Sequence, residues 1–356
     1  MSKLQRLRTN MKNKGVDAIL VLDELNQHYL SDFAFTDGFL LITMNKAYLV
    51  TDFRYYEMAI NGACKEFEIV MPENRREFID KALSDENAVI LGFEGGVVSY
   101  ETYMAYTERH PHLKMVNIGD MIEVQRQIKT PDELVKMQKA QDITDSALAH
   151  LLKIITPDMT ELDVAVELEY AMRKGGADSF AFETIAVSGD ASALPHGTPR
   201  NVKLKKGFLT MDFGARYDGY CADMTRTIVI GKADDEIKKL YNTVLKAQTE
   251  ALNYLREGAD CGEADKIARD IIDAIPEYKG AFGHSLGHSV GLFIHESPRL
   301  YSRGFGRKLN VGEILTVEPG IYLFGKYGCR IEDMVAIEKD GIHNFTHSPK
   351  DLIEIL

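Results

Sequence analysis

Residues 208–230, FLTMDFGARYDGYCADMTRTIVI, place two aspartates in a run of β-branched, aromatic and other apolar residues. The pattern predicts a hairpin, and we place its two-residue turn at Tyr217 and Asp218. In that register Asp212 lies directly opposite Asp223 on one face of the hairpin. A solvated pair on an exposed face is one interpretation. The apolar neighbours favour a buried strand instead, and two adjacent buried carboxylates require a cation.

A second segment, LTVEPGIYLFGKYGCRIEDMVAI at residues 315–337, repeats this arrangement. Glu318 and Glu332 flank a turn centred on Gly325, and a three-residue loop there would place the two glutamates opposite each other. The two hairpins together would offer four carboxylates.

Histidines lie between the two hairpins, in HSLGHSVGLFIHE. The spacing of His284 and His288 imitates the zinc motif HExxH, but no glutamate follows the first histidine. Glycines at positions 283, 287 and 291 argue against a helix. We therefore predict a strand with closely packed neighbours, from which one imidazole would join the carboxylates.

Four carboxylates carry too much negative charge for one divalent ion. Two ions about 3.5–4 Å apart, with two carboxylates bridging them, would balance that charge. Oxygen-rich ligation suits Mn²⁺ or Co²⁺ better than it suits a structural zinc site.

The composition of the 356 residues bounds the other functions. The net charge of 42 − 54 = −12 argues against nucleic-acid binding. No run approaches the ~18 apolar residues of a membrane span, so no membrane association is predicted. The basic N-terminus lacks the apolar core of a secretory signal, and we expect a cytoplasmic location. None of the four cysteines belongs to a CxxC pair, so free thiols are predicted.

The length is typical of two domains. Short apolar runs, such as residues 17–22 and 39–43, alternate with helical patterns in the first part of the chain and predict an α/β domain over residues 1–124. The motif TPDE at residues 130–133 is a capping box with proline in the first turn, and it opens a long helix. A second domain, rich in hairpins and glycine turns, is predicted over residues 125–356.

The order Asp, Asp, His, Glu, Glu resembles that of the pita-bread metallopeptidases, the M24 family of creatinase, prolidase and aminopeptidase P. The strings MDFGARYDGYCADMTRT, HSLGHSVGLFIHE, VEPGIY and RIED are similar to its motifs, and YLSDFAFTDGFLLI resembles its creatinase-type N-terminal domain. The resemblance covers nearly the whole chain. It implies an α+β protein, with a C-terminal pita-bread domain preceded by a smaller α/β domain. Ser289 departs from the glycine of many relatives.

The resemblance implies five metal ligands, namely Asp212, Asp223, His288, Glu318 and Glu332. In the family, Asp223 and Glu332 bridge the two ions. Asp212 serves one ion, while His288 and Glu318 serve the other. The implied metal is Mn²⁺, with Co²⁺ or Zn²⁺ as alternatives.

The implied catalytic and pocket residues are Glu318, His295, His284, His196 and Arg330. Glu318 would take and relay a proton, and His295 would stabilise the oxyanion. His284 and Arg330 would help to hold the substrate and orient Glu332.

By resemblance, the chain is a peptidase that hydrolyses Xaa-Pro bonds at peptide N-termini, as a homodimer. Prolidase, acting on dipeptides, is preferred, and aminopeptidase P, acting on longer peptides, is the alternative. Methionine aminopeptidase lacks the N-terminal domain. Creatinase has lost the metal ligands, and the non-catalytic binding proteins on this scaffold have degraded ligand positions.

Overall fold

A computed structural model of the protein describes residues 1–356, which divide into two compact units, Met1–Arg126 and Gln127–Leu356. All the predicted ligands and pocket residues belong to the second unit. No helix has both the length and the apolar character required to span a membrane.

The first unit is built on one six-stranded sheet with the order β4-β3-β2-β1-β5-β6. Its helices are α1 (Lys3–Lys14), α2 (Glu24–Ser31), α3 (Phe53–Gly62), α4 (Arg75–Asp85), α5 (Tyr100–Arg109) and α6 (Met121–Gln127). Its strands are β1 (Ala18–Val21), β2 (Phe39–Thr43), β3 (Ala47–Val50), β4 (Glu68–Val70), β5 (Ile90–Phe93) and β6 (Lys114–Asn117). The central strands β1, β2 and β3 are buried along their whole length, as their continuous apolar sequences predict.

The second unit contains four long helices and fourteen short strands. The helices are α7 (Pro131–Ile154), α8 (Glu161–Lys174), α9 (Asp235–Tyr254) and α10 (Cys261–Asp273), with short 3₁₀ helices at Gly189–Ala193 and Pro276–Tyr278. The first strands are β7 (Ser179–Phe180), β8 (Ile185–Ser188), β9 (Gly207–Phe213), β10 (Ala215–Tyr217), β11 (Tyr220–Cys221), β12 (Met224–Ile230) and β13 (Gly287–Ser289). The others are β14 (Glu296–Leu300), β15 (Ile314–Val317), β16 (Gly320–Leu323), β17 (Tyr327–Arg330), β18 (Asp333–Ile337), β19 (Ile342–Asn344) and β20 (Glu354–Ile355).

The long helix α7 begins at the predicted capping box. The Thr130 side chain accepts a hydrogen bond from the Glu133 backbone, the Glu133 carboxylate accepts one from the Thr130 backbone, and Pro131 occupies the first turn. The helix runs to Ile154, and the long helix predicted to begin at this box is confirmed.

Each half of the second unit has its own core beneath a pair of helices. Helices α7 and α8 pack on β8, β9 and β12, whereas α9 and α10 pack on β15 to β18. In β9, Leu209, Met211 and Phe213 all join the core under α7 and α8. Because side chains alternate along a strand, Asp212 lies on the opposite face, away from these helices.

The first hairpin turns one residue later than predicted. Its central residues are Asp218 and Gly219, with φ angles of 47° and 80°. These are the left-handed conformations of a tight hairpin turn, which an Asp-Gly pair adopts readily and a tyrosine does not. The predicted register is therefore wrong by two residues, and Asp212 pairs with Thr225 instead of Asp223.

The second hairpin has the predicted register. Its loop is residues 324–326, and Gly325 adopts a φ of 72°. Val317 pairs with Asp333 on one side of a break in the ladder, and Gly320 pairs with Arg330 on the other side. Glu318 and Glu332 therefore occupy opposite positions in the break.

Candidate active site

Interruptions of the strands set the positions of the acidic side chains. Of the five predicted ligands, Asp212 lies in β9, Asp223 between β11 and β12, His288 in β13, Glu318 between β15 and β16, and Glu332 between β17 and β18. At two of these breaks the backbone amide donates its hydrogen bond outside its own hairpin. The Glu318 amide donates to Leu286 at 2.8 Å, and the Glu332 amide donates to Thr225 at 3.1 Å. These bonds connect the second hairpin to the segment before β13 and to the first hairpin.

The ligand atoms of Asp223, His288 and Glu332 all lie within 4.8 Å of one another, and all three residues are buried. His288 Nε2 is 3.5 Å from Asp223 Oδ2 and 3.5 Å from Glu318 Oε1. The side chains predicted from separate parts of the sequence therefore converge on one point.

The electrostatics of the cluster favour uptake of a cation. Burial, followed by the charges of Glu332, Asp212 and Glu318, raises the pKa of Asp223 well above its usual range. Burial and the Asp212 charge raise the pKa of Glu318 to about 8. Burial also raises the pKa of Glu332. A divalent ion would replace the protons that this crowding retains.

Burial lowers the pKa of His288 to about 4, so its ring is neutral near pH 7. Its Nδ1 is 3.1 Å from the Ser289 carbonyl, which can only accept a hydrogen bond. Nδ1 therefore carries the proton, and Nε2 presents a lone pair to the cluster. Thr316 links His288 to Glu318. Its hydroxyl accepts a hydrogen bond from the His288 amide at 3.1 Å and donates one to the Glu318 carboxylate at 3.1 Å.

The donor set fits divalent cations. Asp212 Oδ2 accepts a hydrogen bond from Arg330 at 2.8 Å, but the buried Oδ1 of Asp212 has no hydrogen-bond partner. A buried carboxylate oxygen without a partner is costly, and a cation would satisfy it. Four carboxylates and one imidazole are ligands typical of Mn²⁺ and similar ions.

Arg330 connects the two hairpins. Its guanidinium donates to Asp212 at 2.8 Å, to the Thr225 hydroxyl at 2.9 Å and to the Tyr322 hydroxyl at 2.8 Å. Thr225 in turn donates to Glu332 at 2.7 Å. The position of Arg330 thus couples Asp212, through Thr225, to Glu332.

His284 lies on the same network. Its Nδ1 is 2.9 Å from the Ser285 carbonyl, so Nε2 accepts from the Tyr322 hydroxyl at 2.9 Å. Burial, followed by the Arg330 charge, lowers the pKa of His284 to about 4. Burial raises the pKa of Tyr322 to about 12, so its phenol remains protonated. His284 Nδ1 is also 4.0 Å from the Glu318 carboxylate.

The other two pocket histidines are exposed beside the cluster. The ring centroid of His295 is 4.6 Å from that of His288. Desolvation, then the Arg299 charge, lowers the pKa of His295. His196 follows Pro195, whose carbonyl accepts from Arg330 at 3.3 Å. The charge of His196 also contributes to the lowered pKa values of His284 and His295.

Sequence reasoning missed three hydroxyl side chains of the site. Tyr322 lies four positions after Glu318, Thr316 lies two positions before it, and Thr225 lies two positions after Asp223. In a strand such residues share a face, so the alternation of side chains could have identified them.

Sequence reasoning also missed Arg299. It pairs with His288 across the β13/β14 ladder, but the register shifts within that ladder at His288 and Ser289. An irregular ladder has no sequence signal that would have predicted this pairing.

Comparison with known proteins identifies the family of the chain. The metallopeptidase family M24 profile matches residues 135–339, and the creatinase/prolidase N-terminal domain matches residues 3–128. An Xaa-Pro dipeptidase of Pyrococcus furiosus is 35% identical, with 99% of each chain covered.

Solved structures agree over the full length. An Xaa-Pro dipeptidase from Bacillus anthracis matches with a TM-score of 0.93 and 40% identity, covering 99% of both chains. An X-Pro aminopeptidase from Thermotoga maritima matches with a TM-score of 0.91 and 34% identity, covering 100% of both chains. The predicted fold, a pita-bread domain preceded by a creatinase-type domain, is confirmed. The chain therefore belongs to metallopeptidase family M24.

Proposed function

We propose that this protein is a metal-dependent exopeptidase that hydrolyses the bond before proline, with dipeptides as its preferred substrates. The observation that carries the proposal is the convergence of Asp223, His288 and Glu332 in a chain of this family. Relatives of full length are named Xaa-Pro dipeptidase or X-Pro aminopeptidase. Homodimerisation, expected from the resemblance, belongs to the same proposal, and sedimentation velocity tests it.

The proposed ligands of two divalent ions, preferably Mn²⁺, are Asp212, Asp223, His288, Glu318 and Glu332. When bound, the ions supply Lewis acidity to the scissile carbonyl and lower the pKa of the attacking water. The unpartnered Oδ1 of Asp212 supports its assignment, as does the lone pair that His288 Nε2 directs into the cluster.

Glu318 is the proposed proton carrier. Burial raises the pKa of Glu318 to about 8, and a nearby cation would lower that value. Glu318 takes a proton as water attacks the carbonyl carbon. When the C–N bond breaks, the same proton passes to the proline nitrogen, which leaves as a secondary amine.

The remaining residues hold the substrate and the developing charge. His295 is exposed beside His288, where its ring can donate a hydrogen bond to the oxyanion. His284, Tyr322 and Arg330 form one hydrogen-bonded chain that fixes the wall of the site. The Xaa-Pro amide has no N–H, so this wall requires no acceptor for it.

Arg299 favours a dipeptidase over the alternative, an aminopeptidase. It is exposed, pairs with His288 in the ladder and contributes positive charge beside His295. The proline carboxylate of a dipeptide lies only one residue beyond the scissile bond, where an arginine can bind it through two hydrogen bonds. Arg299→Met should therefore raise KM for an Xaa-Pro dipeptide much more than for an Xaa-Pro-Yaa tripeptide.

The first test is to remove metal from the purified protein, restore Mn²⁺, and compare hydrolysis of Xaa-Pro and Xaa-Pro-Yaa. Mn²⁺-dependent cleavage of the dipeptide supports the proposal, whereas cleavage of the tripeptide alone favours an aminopeptidase. Asp223→Asn should abolish turnover and the rise in melting temperature that Mn²⁺ produces. Full activity in this variant would contradict the metal assignment.

A further inference from the structure

One buried carboxylate binds both ends of the segment at residues 189–200, here called the His196 loop. Glu161, the first residue of α8, is 0% exposed. It accepts hydrogen bonds from the Ser188 amide at 2.7 Å and the Ser188 hydroxyl at 2.8 Å, just before the loop. It also accepts from Arg200 Nε and Nη2, both at 2.7 Å, at the end of the loop. One side chain thus joins the two ends of the loop.

The Glu161–Arg200 pair is a two-pronged ion pair. Burial by itself would raise the pKa of Glu161, but hydrogen bonds from Arg200 and Ser188 outweigh burial, and the pKa is lowered. The carboxylate is therefore charged and fully engaged. The planar fork of arginine matches a carboxylate in a way that lysine cannot reproduce.

Two further contacts fix the interior of the loop. The Ser192 hydroxyl accepts from the Gly328 amide at 2.9 Å, and the Pro195 carbonyl accepts from Arg330 at 3.3 Å. His196, the next residue, is itself exposed. The position of its ring therefore depends on the backbone of the loop rather than on packing around the imidazole.

We propose that Glu161, with Arg200, is a positioning residue that holds His196 beside the proposed metal ligands. This inference rests on the proposed function and on the pocket role that the family resemblance implies for His196. The proposal gives a catalytic consequence to an ion pair that lies outside the ligand set and joins α8, which packs on β8, β9 and β12, to the end of the His196 loop.

The test compares Glu161→Gln with a control, Glu167→Gln. The control removes a half-exposed carboxylate of the same helix, α8, that pairs with His150. We expect Glu161→Gln to lower kcat/KM by about tenfold, because small misplacements of contacting groups are costly. Glu167→Gln should leave kcat/KM unchanged. In a His196→Ala background, Glu161→Gln should have little further effect, since the two residues act through one loop. Losses that multiply in the double variant would overturn the inference.

Hydrogen exchange provides a readout that does not depend on peptidase activity. Glu161→Gln should speed amide exchange in peptides covering residues 189–200, while β15 and β18 remain as protected as in the parent protein. Unchanged exchange in the loop would overturn the inference even if the activity is confirmed. If the parent protein cleaves no Xaa-Pro peptide, the proposed function fails, whereas faster loop exchange would still support the structural role of Glu161.

A second variant covers the case in which Glu161→Gln does not fold. Arg200→Lys keeps the positive charge but loses the two-pronged contact, and the Arg200 side chain is 40% exposed, so the substitution leaves no buried cavity. It should speed exchange in the His196 loop and lower kcat/KM. Parent-like values of both quantities would contradict the proposed role of the pair.

Discussion

At the scale of single residues, the same burial pushes acids and bases in the cluster toward their neutral forms. Glu318 has a pKa raised to about 8, and His288 has a pKa lowered to about 4. Both shifts leave the metal-free site nearly uncharged around Glu318 and His288 at neutral pH. A divalent cation reverses this preference for the carboxylates, because it stabilises their ionised forms, while the neutral imidazole is already the form that binds metal.

The first prediction concerns the stability of the metal-free protein between pH 6.5 and pH 8. In this window the folded protein holds a proton on Glu318, whose pKa is about 8, that the unfolded chain has released. The free energy of unfolding therefore falls as the pH rises. Below about pH 6.5, the lowered pKa values of His284 and His288 act in the opposite direction, because the unfolded chain then binds the additional protons.

Thermal unfolding in the presence of a chelator should thus show a lower melting temperature at pH 8 than at pH 6.5. Saturating Mn²⁺ should reduce this difference. Glu318→Gln should also reduce it without metal, and the raised pKa values of Asp223 and Glu332 account for what is left. A metal-free protein that becomes more stable over the same interval would contradict the assignment of these shifts.

At the scale of elements, the two hairpins show what sequence can predict. The register predicted for the second hairpin was correct. Its two glutamates are placed symmetrically about the glycine at the centre of the loop, so one register places them opposite each other. The register predicted for the first hairpin was wrong because the Asp218-Gly219 pair is a stronger turn former than Tyr217-Asp218. Burial was inferred for the first acidic pair from its apolar neighbours, which do not depend on register. Asp223 is buried, and Asp212 is partly buried.

The second prediction tests the close packing of β13. A Cβ at Gly287 would overlap the Thr316 carbonyl oxygen, whereas a Cβ at Gly283 would meet no atom within 4 Å. Gly287→Ala must displace β13 or β15, and overpacking of this kind costs about 1–3 kcal/mol. We expect it to lower both the stability and the affinity for Mn²⁺. Gly283→Ala is the matched control, and equal behaviour of the two variants would show that β13 does not depend on this contact.

The third prediction concerns the buried ion pair behind His295. Lys129 Nζ lies 3.2 Å from Glu296 Oε2 and 3.3 Å from the Ser289 hydroxyl, and Glu296 Oε1 accepts from the Phe293 amide at 3.2 Å. The pair therefore holds the turn between His288 and β14 that ends in His295. Breaking a buried pair by removing one partner costs about 3–5 kcal/mol, because a charge is left uncompensated.

Lys129→Met should accordingly destabilise the protein and lower kcat. The double variant Lys129→Met/Glu296→Gln should recover much of the stability but not the activity, since the turn has lost the contacts that hold it. Lys203→Met, which removes an exposed pair with Asp158, is the control. Chemical denaturation and kinetics on the four proteins decide the matter, and recovery of full activity in the double variant would refute the positional role.

At the scale of the whole molecule, the cluster joins structures that are remote in sequence. Asp212 and Asp223 belong to the half backed by α7 and α8, while Glu318 and Glu332 belong to the half backed by α9 and α10. The residue types were predictable because each hairpin carries its own acidic pair. The contacts of Arg299 and Lys129 were not predictable from the residues, since they depend on an irregular ladder and on pairing across 160 or more positions.

The last prediction follows from this joining of two half-cores. A cation bound by carboxylates from both halves stabilises only the folded arrangement of residues 127–356, by about 2.7 kcal/mol when the free metal exceeds its dissociation constant a hundredfold. Residues 1–126 have a separate core and none of the proposed ligands. Removal of metal should therefore speed amide exchange in β9, β12, β15 and β18 but leave β1 and β2 unchanged. Hydrogen-exchange mass spectrometry with and without Mn²⁺ tests this, with Asp223→Asn as a protein in which added metal should have no effect. Equal acceleration in β1 and β2 would mean that the stabilisation is not confined to the unit that holds the ligands.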